Sequence, residues 1–197
     1  MKKIVLIFLA VCTFVSNVHA QNEINGYEYV DLGLSVKWAT CNIGANAPHE
    51  YGNYYAWGET STKNKYNKYN SRTYGYSMGD ISGNASCDAA RANWGSSWRM
   101  PTIKEMEELT NKCTWTWINR GTKGYKVTGP SGNSIFLPAA GHYFGEELED
   151  NEEGSYWVST PYESYDTDAY CFYFFYIRHH ESRSDRYYGY TIRPVSD

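Results

Sequence analysis

The sequence predicts an α+β domain, and three observations carry that reading. Most apolar runs are short, rich in Tyr, Trp, Val and Ile, and separated by Gly, Asn and Pro, the pattern of strands joined by turns. Only two segments have helical character, and both precede a strand-rich second half. No βαβ alternation and no internal repeat occurs, which excludes a doubly wound parallel sheet and a repeat array.

Taken in order, Tyr27 to Leu32 and Val36 to Cys41 read as strands joined across Gly33-Leu34-Ser35. Tyr51 to Trp57 is an aromatic stretch of strand character that stops at Gly58. Lys63 to Asn70 (KNKYNKYN) is polar and low in complexity, and reads as a loop. A short Ala-rich helix is expected over Ser86 to Asn93, halted by Trp94-Gly95. The second helix carries a clear start signal. Thr102 and Glu105 stand three apart after Pro101, the spacing of a capping box in which each side chain satisfies an orphan backbone N–H. Ile103, Met106, Leu109 and Cys113 then recur at helical spacing and define a buried face. Beyond it, Thr114 to Ile118 alternates with period two. Gly124 to Thr128 and Ser134 to Ala139 flank Gly129-Pro130-Ser131-Gly132-Asn133, a hairpin signal. Ser155 to Thr160, Ala169 to Tyr176 and Gly189 to Val195 complete the strands.

Residues 1 to 20 read as a cleavable export signal. Lys2 and Lys3 precede the apolar run Ile4 to Val11, and Val18-His19-Ala20 places small residues where a signal peptidase cuts, before Gln21. The run is shorter than the roughly 20 residues that a membrane anchor needs, and no later segment is apolar for that long, so no transmembrane segment is expected. The expected location is therefore the periplasm, the cell surface or the medium. Cys12 is poorly placed for lipidation, because Val11 precedes it and the following residues stay apolar. Cleavage would leave 177 residues, the size of one domain (21–197), and would move the formal charge from −4 to −6 by removing two lysines. That balance excludes a phosphate-reading nucleic-acid binder. Cys41, Cys87, Cys113 and Cys171 remain, at spacings that match no zinc motif. A core of this size needs no staple, so at most one disulfide is expected.

Arg99 precedes a helix N-terminus, where the dipole disfavours a cation. It is therefore expected to form a buried ion pair or carbonyl contacts that tie the helix to a strand. Trp94, Trp98 and Trp157 are expected in the scaffold.

Several stretches carry a family likeness. Trp94-Gly95-Ser96-Ser97-Trp98-Arg99-Met100-Pro101-Thr102 with Glu105 resembles the signature of C-type-lectin-like domains of the formylglycine-generating type. Tyr156-Trp157-Val158-Ser159-Thr160 and Gly189-Tyr190-Thr191-Ile192-Arg193-Pro194-Val195 resemble later strands of those domains. Val30 to Ala39, Tyr51-Gly52 and Trp57-Gly58-Glu59 narrow the likeness to the exported "Fibrobacter succinogenes major paralogous domain" proteins. The resemblance implies a C-type-lectin-like fold with both chain ends paired as neighbouring strands. Arg193 would sit in the closing strand as a structural residue, and the segment before it would form the binding face.

That segment, Tyr173 to Tyr188, holds four tyrosines, two phenylalanines, three arginines and two histidines, a mixture typical of recognition surfaces. Tyr173, Arg178, His179, His180, Arg183, Arg186, Tyr187 and Tyr188 are the candidate ligand-binding residues, with Tyr143 as a neighbour. The ordinary alternative is an inner strand followed by a polar loop. The ligand class expected is a glycan or a protein, with no cofactor. Glu146, Glu147, Glu149, Asp150, Glu152 and Glu153 form an acidic run that could supply oxygen ligands to Ca²⁺, but its spacing is not that of an EF-hand, and a solvated acidic loop is the favoured reading. Catalysis is not expected. The reactive cysteine pair of formylglycine-generating enzymes has no counterpart here, since Cys171 stands alone in an apolar strand, and no hydrolase motif is present. Two rivals stand beside the recognition module: an enzyme of that fold with an unrecognised site, and a structural surface protein without a specific ligand.

Overall fold

Asn25 and Gly26 both adopt left-handed backbone, with φ of 51° and 83°, the pair of conformations that a tight hairpin turn requires. In this computed structural model, which describes residues 22–119, 121–149 and 152–197, that turn joins β1 (Glu23–Ile24) to β2 (Tyr27–Val30). The expected export signal and its cleavage point lie outside the described residues. Next come β3 (Lys37–Ala39), α1 (Ala89–Trp94), α2 (Ile103–Lys112) and the meander β4 (Thr114–Ile118), β5 (Gly124–Thr128), β6 (Ser134–Pro138). A small hairpin, β7 (His142–Phe144) and β8 (Glu147–Glu149), precedes the three long strands β9 (Gly154–Pro161), β10 (Asp168–Phe175) and β11 (Arg178–Asp185). The last strand, β12 (Val195–Ser196), pairs antiparallel with β3, so both ends of the described chain lie in the sheet β1-β2-β3-β12, at its opposite edges and not as the neighbouring strands expected. The class is α+β, with mainly antiparallel strands and two short helices.

Period-two alternation on the long strands explains the interior. Trp157 of β9 and Ala169 and Cys171 of β10 enter one core with Trp57, Trp98 and Tyr190. Tyr156, Val158, Phe172 and Phe174 enter a second core with Trp38, Met106, Leu109, Val127 and Leu137. The β9–β10 pair therefore partitions two cores, which is why β10 is apolar on both parities. Trp94, Trp98 and Trp157 are all buried, as expected of scaffold, and Trp98 Nε1 and Trp157 Nε1 donate to Ile24 and Tyr55 carbonyls at 2.8 and 2.9 Å.

The second helix begins as expected. Thr102 Oγ1 accepts from Glu105 N–H at 3.3 Å and Glu105 Oε2 accepts from Thr102 N–H at 2.8 Å. The same carboxylate receives two hydrogen bonds from Arg99, which also pairs with Asp197. The first helix starts later than expected. Asp88 caps it by accepting from Ala90 and Arg91, and its other oxygen accepts from Gly83 and Met100. Arg193 is buried and donates to Asn42 Oδ1 and to the carbonyls of Ala39, Thr40 and Phe136, tying β3 to β6.

Two strand expectations shrink. Tyr51 to Trp57 contributes only an isolated bridge at Tyr55, and Gly189 to Val195 pairs mainly through single bridges at Gly189, Tyr190 and Thr191. These segments are fixed instead by aromatic anchors: Trp57 Nε1 donates to Val158 O at 2.9 Å, and Tyr66 hydroxyl donates to Tyr54 O at 2.6 Å. Conversely, Arg178 to Asp185 is a full strand and not a loop, paired residue for residue with β10. Cys41, Cys87, Cys113 and Cys171 are free thiols.

Candidate functional site

Pairing with β10 sorts the candidate residues of β11 onto two faces. Tyr170, Phe172 and Phe174 stand opposite Arg183, Glu181 and His179, while Tyr173 and Phe175 stand opposite His180 and Arg178. On the first face His179 lies flat against Trp115, with ring centroids 4.4 Å apart, and burial holds its pKa below the usual imidazole value. Arg183 lies over Tyr162 and Tyr165, at 4.8 and 5.1 Å from their centroids, and forms an ion pair with Asp168. On the second face His180 meets Tyr173 edge-on at 5.5 Å, and burial, with Arg178 beside it, lowers its pKa as well. Arg178 is exposed at the hairpin end. The candidates therefore do not form one surface.

Arg186 requires a correction. It is 0% exposed, and its guanidinium donates to the carbonyls of Asp168, Thr73 and Tyr76 at 2.9, 3.1 and 2.7 Å. It cannot present itself to a ligand. Its buried charge is satisfied by carbonyl oxygens and by the face of Trp57, and it clamps the loop at residues 73–76 to the end of β11. Tyr143 is also turned inward, packing between Tyr54 and Tyr66 at 4.8 and 5.6 Å.

Tyr187 and Tyr188 do reach the surface, and they meet side chains that sequence reasoning missed. Tyr188 stacks with Tyr187 at 4.9 Å and 21°, and faces Phe144 at 5.3 Å and 31°. Tyr74 closes one end, edge-on to Tyr187 at 5.3 Å, and His142 the other, edge-on to Tyr188 at 5.4 Å. Phe144 is 45% exposed. Beneath this platform Tyr190 is buried and stacks on Trp157 at 4.4 Å, so the aromatic column runs from solvent into the core. The signal for Phe144 lay in the alternation of His142-Tyr143-Phe144, in which only one parity can face inward.

The surroundings are acidic. The β7–β8 register sets Phe144 opposite Glu147 and His142 opposite Glu149, which places both carboxylates on the platform's side of the hairpin. His142 Nε2 is 3.8 Å from Glu149 Oε2. Tyr187 hydroxyl donates to Asp185 Oδ2 at 3.2 Å, and burial together with that carboxylate raises the phenol pKa above its ordinary value. The described part of the acidic run does not gather into one cluster. Glu146 pairs with Lys65 and Glu152 with Lys123, Asp150 lies outside the described residues, and no group of three metal-ligating side chains forms among the described residues. The thiol of Cys171 is buried, and burial pushes its pKa up to about 12.

Comparison with family models, with curated proteins and with solved structures finds no match. No helix among the described residues is long and apolar enough to cross a membrane.

Proposed function

We propose that this protein is an exported recognition module of C-type-lectin-like fold, related to the Fibrobacter succinogenes major paralogous domain proteins, and that it binds a glycan. The observation that carries this reading is the solvent-facing platform of Phe144, Tyr188 and Tyr187, rimmed by Glu147, Glu149 and Asp185. A sugar ring has an apolar C–H face that stacks on such rings and hydroxyls that donate to carboxylates. Tyr188, packed against a Tyr190 that itself stacks on Trp157, loses little conformational freedom on binding. A cysteine-based oxidase is disfavoured, because a thiol buried at Cys171 is held protonated and inert.

A glycan array probed with the mature protein and with the double variant Tyr187→Ala/Tyr188→Ala tests the reading. A weaker array signal in a variant with unchanged circular dichroism is expected. Equal signal from both proteins would remove the platform from the function, and host-protein capture that depends on the same two tyrosines would redirect it to a protein ligand.

A further inference from the structure

Trp117 at the end of β4, Lys123 before β5, Glu152 and Glu153 before β9, and Phe175 and Tyr176 at the tip of the β10–β11 hairpin line one cleft of about 350 Å³. That volume lies within the range of small-molecule sites, roughly 300–1,000 Å³. The cleft shares no residue with the platform of Phe144, Tyr187 and Tyr188. One wall is aromatic. Trp117 and Tyr176 meet edge-on at 6.0 Å, and Tyr125 backs Trp117 at 5.0 Å. Tyr176 is 66% exposed, an arrangement that costs hydrophobic stabilisation if nothing covers it. Yet the tip is held in place: Tyr125 hydroxyl shares its one proton between the carbonyls of Phe175 and Tyr176, at 3.2 and 3.1 Å.

The rest of the lining is polar or charged. Lys123 forms an ion pair with Glu152, Glu153 adds a second carboxylate, and Asn119 supplies an amide. Donors and acceptors thus share the cleft with aromatic rings, the complement of a pyranose with one apolar face and hydroxyls that both donate and accept. Two carboxylates against one already paired ammonium disfavour an acidic sugar.

We propose that this cleft is a second carbohydrate site, taking a neutral or amino-substituted sugar ring stacked on Tyr176, with Trp117 as the adjoining wall. The proposal extends the glycan-binding reading but does not require the platform to bind. Two sites on one domain would raise apparent affinity for a polysaccharide by making the second contact intramolecular.

Saturation-transfer NMR on the mature protein, with neutral (cellotetraose), amino (chitosan tetramer) and acidic (tetragalacturonate) oligosaccharides, tests it. Tyr176→Ala removes a mostly exposed ring and should leave the fold intact; Trp117→Ala is the companion. About tenfold weaker binding of the neutral or amino probe by either variant, retained in Tyr187→Ala/Tyr188→Ala, is expected. Wild-type binding by both Tyr176→Ala and Trp117→Ala, with loss only in the platform variant, would overturn the second site and leave the platform standing. Loss only in the cleft variants would do the reverse. Preference for the acidic probe, or no binding of any probe, would overturn the proposal.

Discussion

The guanidinium carbon of Arg186 lies 4.4 Å from the ring centroid of Trp57, and the backbone N–H of Trp57 donates to Arg186 O at 2.8 Å. Side chain and main chain of one residue thus meet both parts of the other, at the junction of the central loop and β11. Arg186→Ala should destabilise the fold by roughly 3 kcal/mol, since it removes three hydrogen bonds to buried carbonyls and opens a cavity against Trp57. Arg186→Lys should recover only part of this, because an ammonium cannot span the same three acceptors. Urea unfolding of the three proteins checks the order.

Glu105 serves the helix cap and Arg99 at once, and both side chains of the pair are mostly buried. Glu105→Gln is expected to cost roughly 2 kcal/mol, the scale of charge-assisted hydrogen bonds. Asp197, the second partner of Arg99, is 76% exposed, and Asp197→Asn should change stability by less than about 0.5 kcal/mol. Equal costs would show that the exposed pair shares the work.

Burial against Trp115 lowers the pKa of His179, opposed by the charge of Glu181. In the unfolded chain the imidazole titrates near 6.5, so its contribution to stability is complete above that pH. It is lost as pH falls through the lowered folded-state pKa. His179→Phe keeps an aromatic ring on Trp115 without a proton to gain. The decline in urea midpoint from pH 7.5 to 5 should be shallower in the variant than in the wild type.

A Cβ built on Gly154 would lie 2.0 Å from Cζ of Phe174, whose ring is fully buried in the second core. Gly154→Ala should therefore destabilise by about 1–3 kcal/mol through overpacking, although the residue needs no left-handed backbone. The additional change Phe174→Leu should recover part of that loss in thermal unfolding.

The four free thiols among the described residues differ in access. Cys171 and Cys87 are buried, and burial raises the pKa of both. Burial also takes Cys113 to about 11. An alkylating reagent at pH 8 should label half-buried Cys41 first and Cys171 only after unfolding, as read by peptide mass spectrometry.

What the sequence by itself determined is what neighbours within a few residues decide. The capping box of Thr102 and Glu105, the buried face of α2 and the alternation of β4 were legible because each signal acts within one turn or one pleat. That Arg99 would be held by an ion pair or carbonyls followed from its place at a helix N-terminus, but its partner Glu105 did not. Asn25-Gly26 carried an equally local hairpin signal that went unread. The rest depends on what the chain brings from far away. Arg178 to Asp185 alternates polar with polar and resembles a loop until β10 supplies the hydrogen bonds that make it a strand. Arg186 looks like a surface cation until carbonyls at residues 73, 76 and 168 enclose it. The platform joins residues 74, 142, 144, 187 and 188, and the second cleft joins residues 117, 123, 152, 153, 175 and 176. Burial and charge compensation arise from contacts across the sequence, so only the tertiary structure could separate the aromatic side chains that fill the cores from those that face solvent.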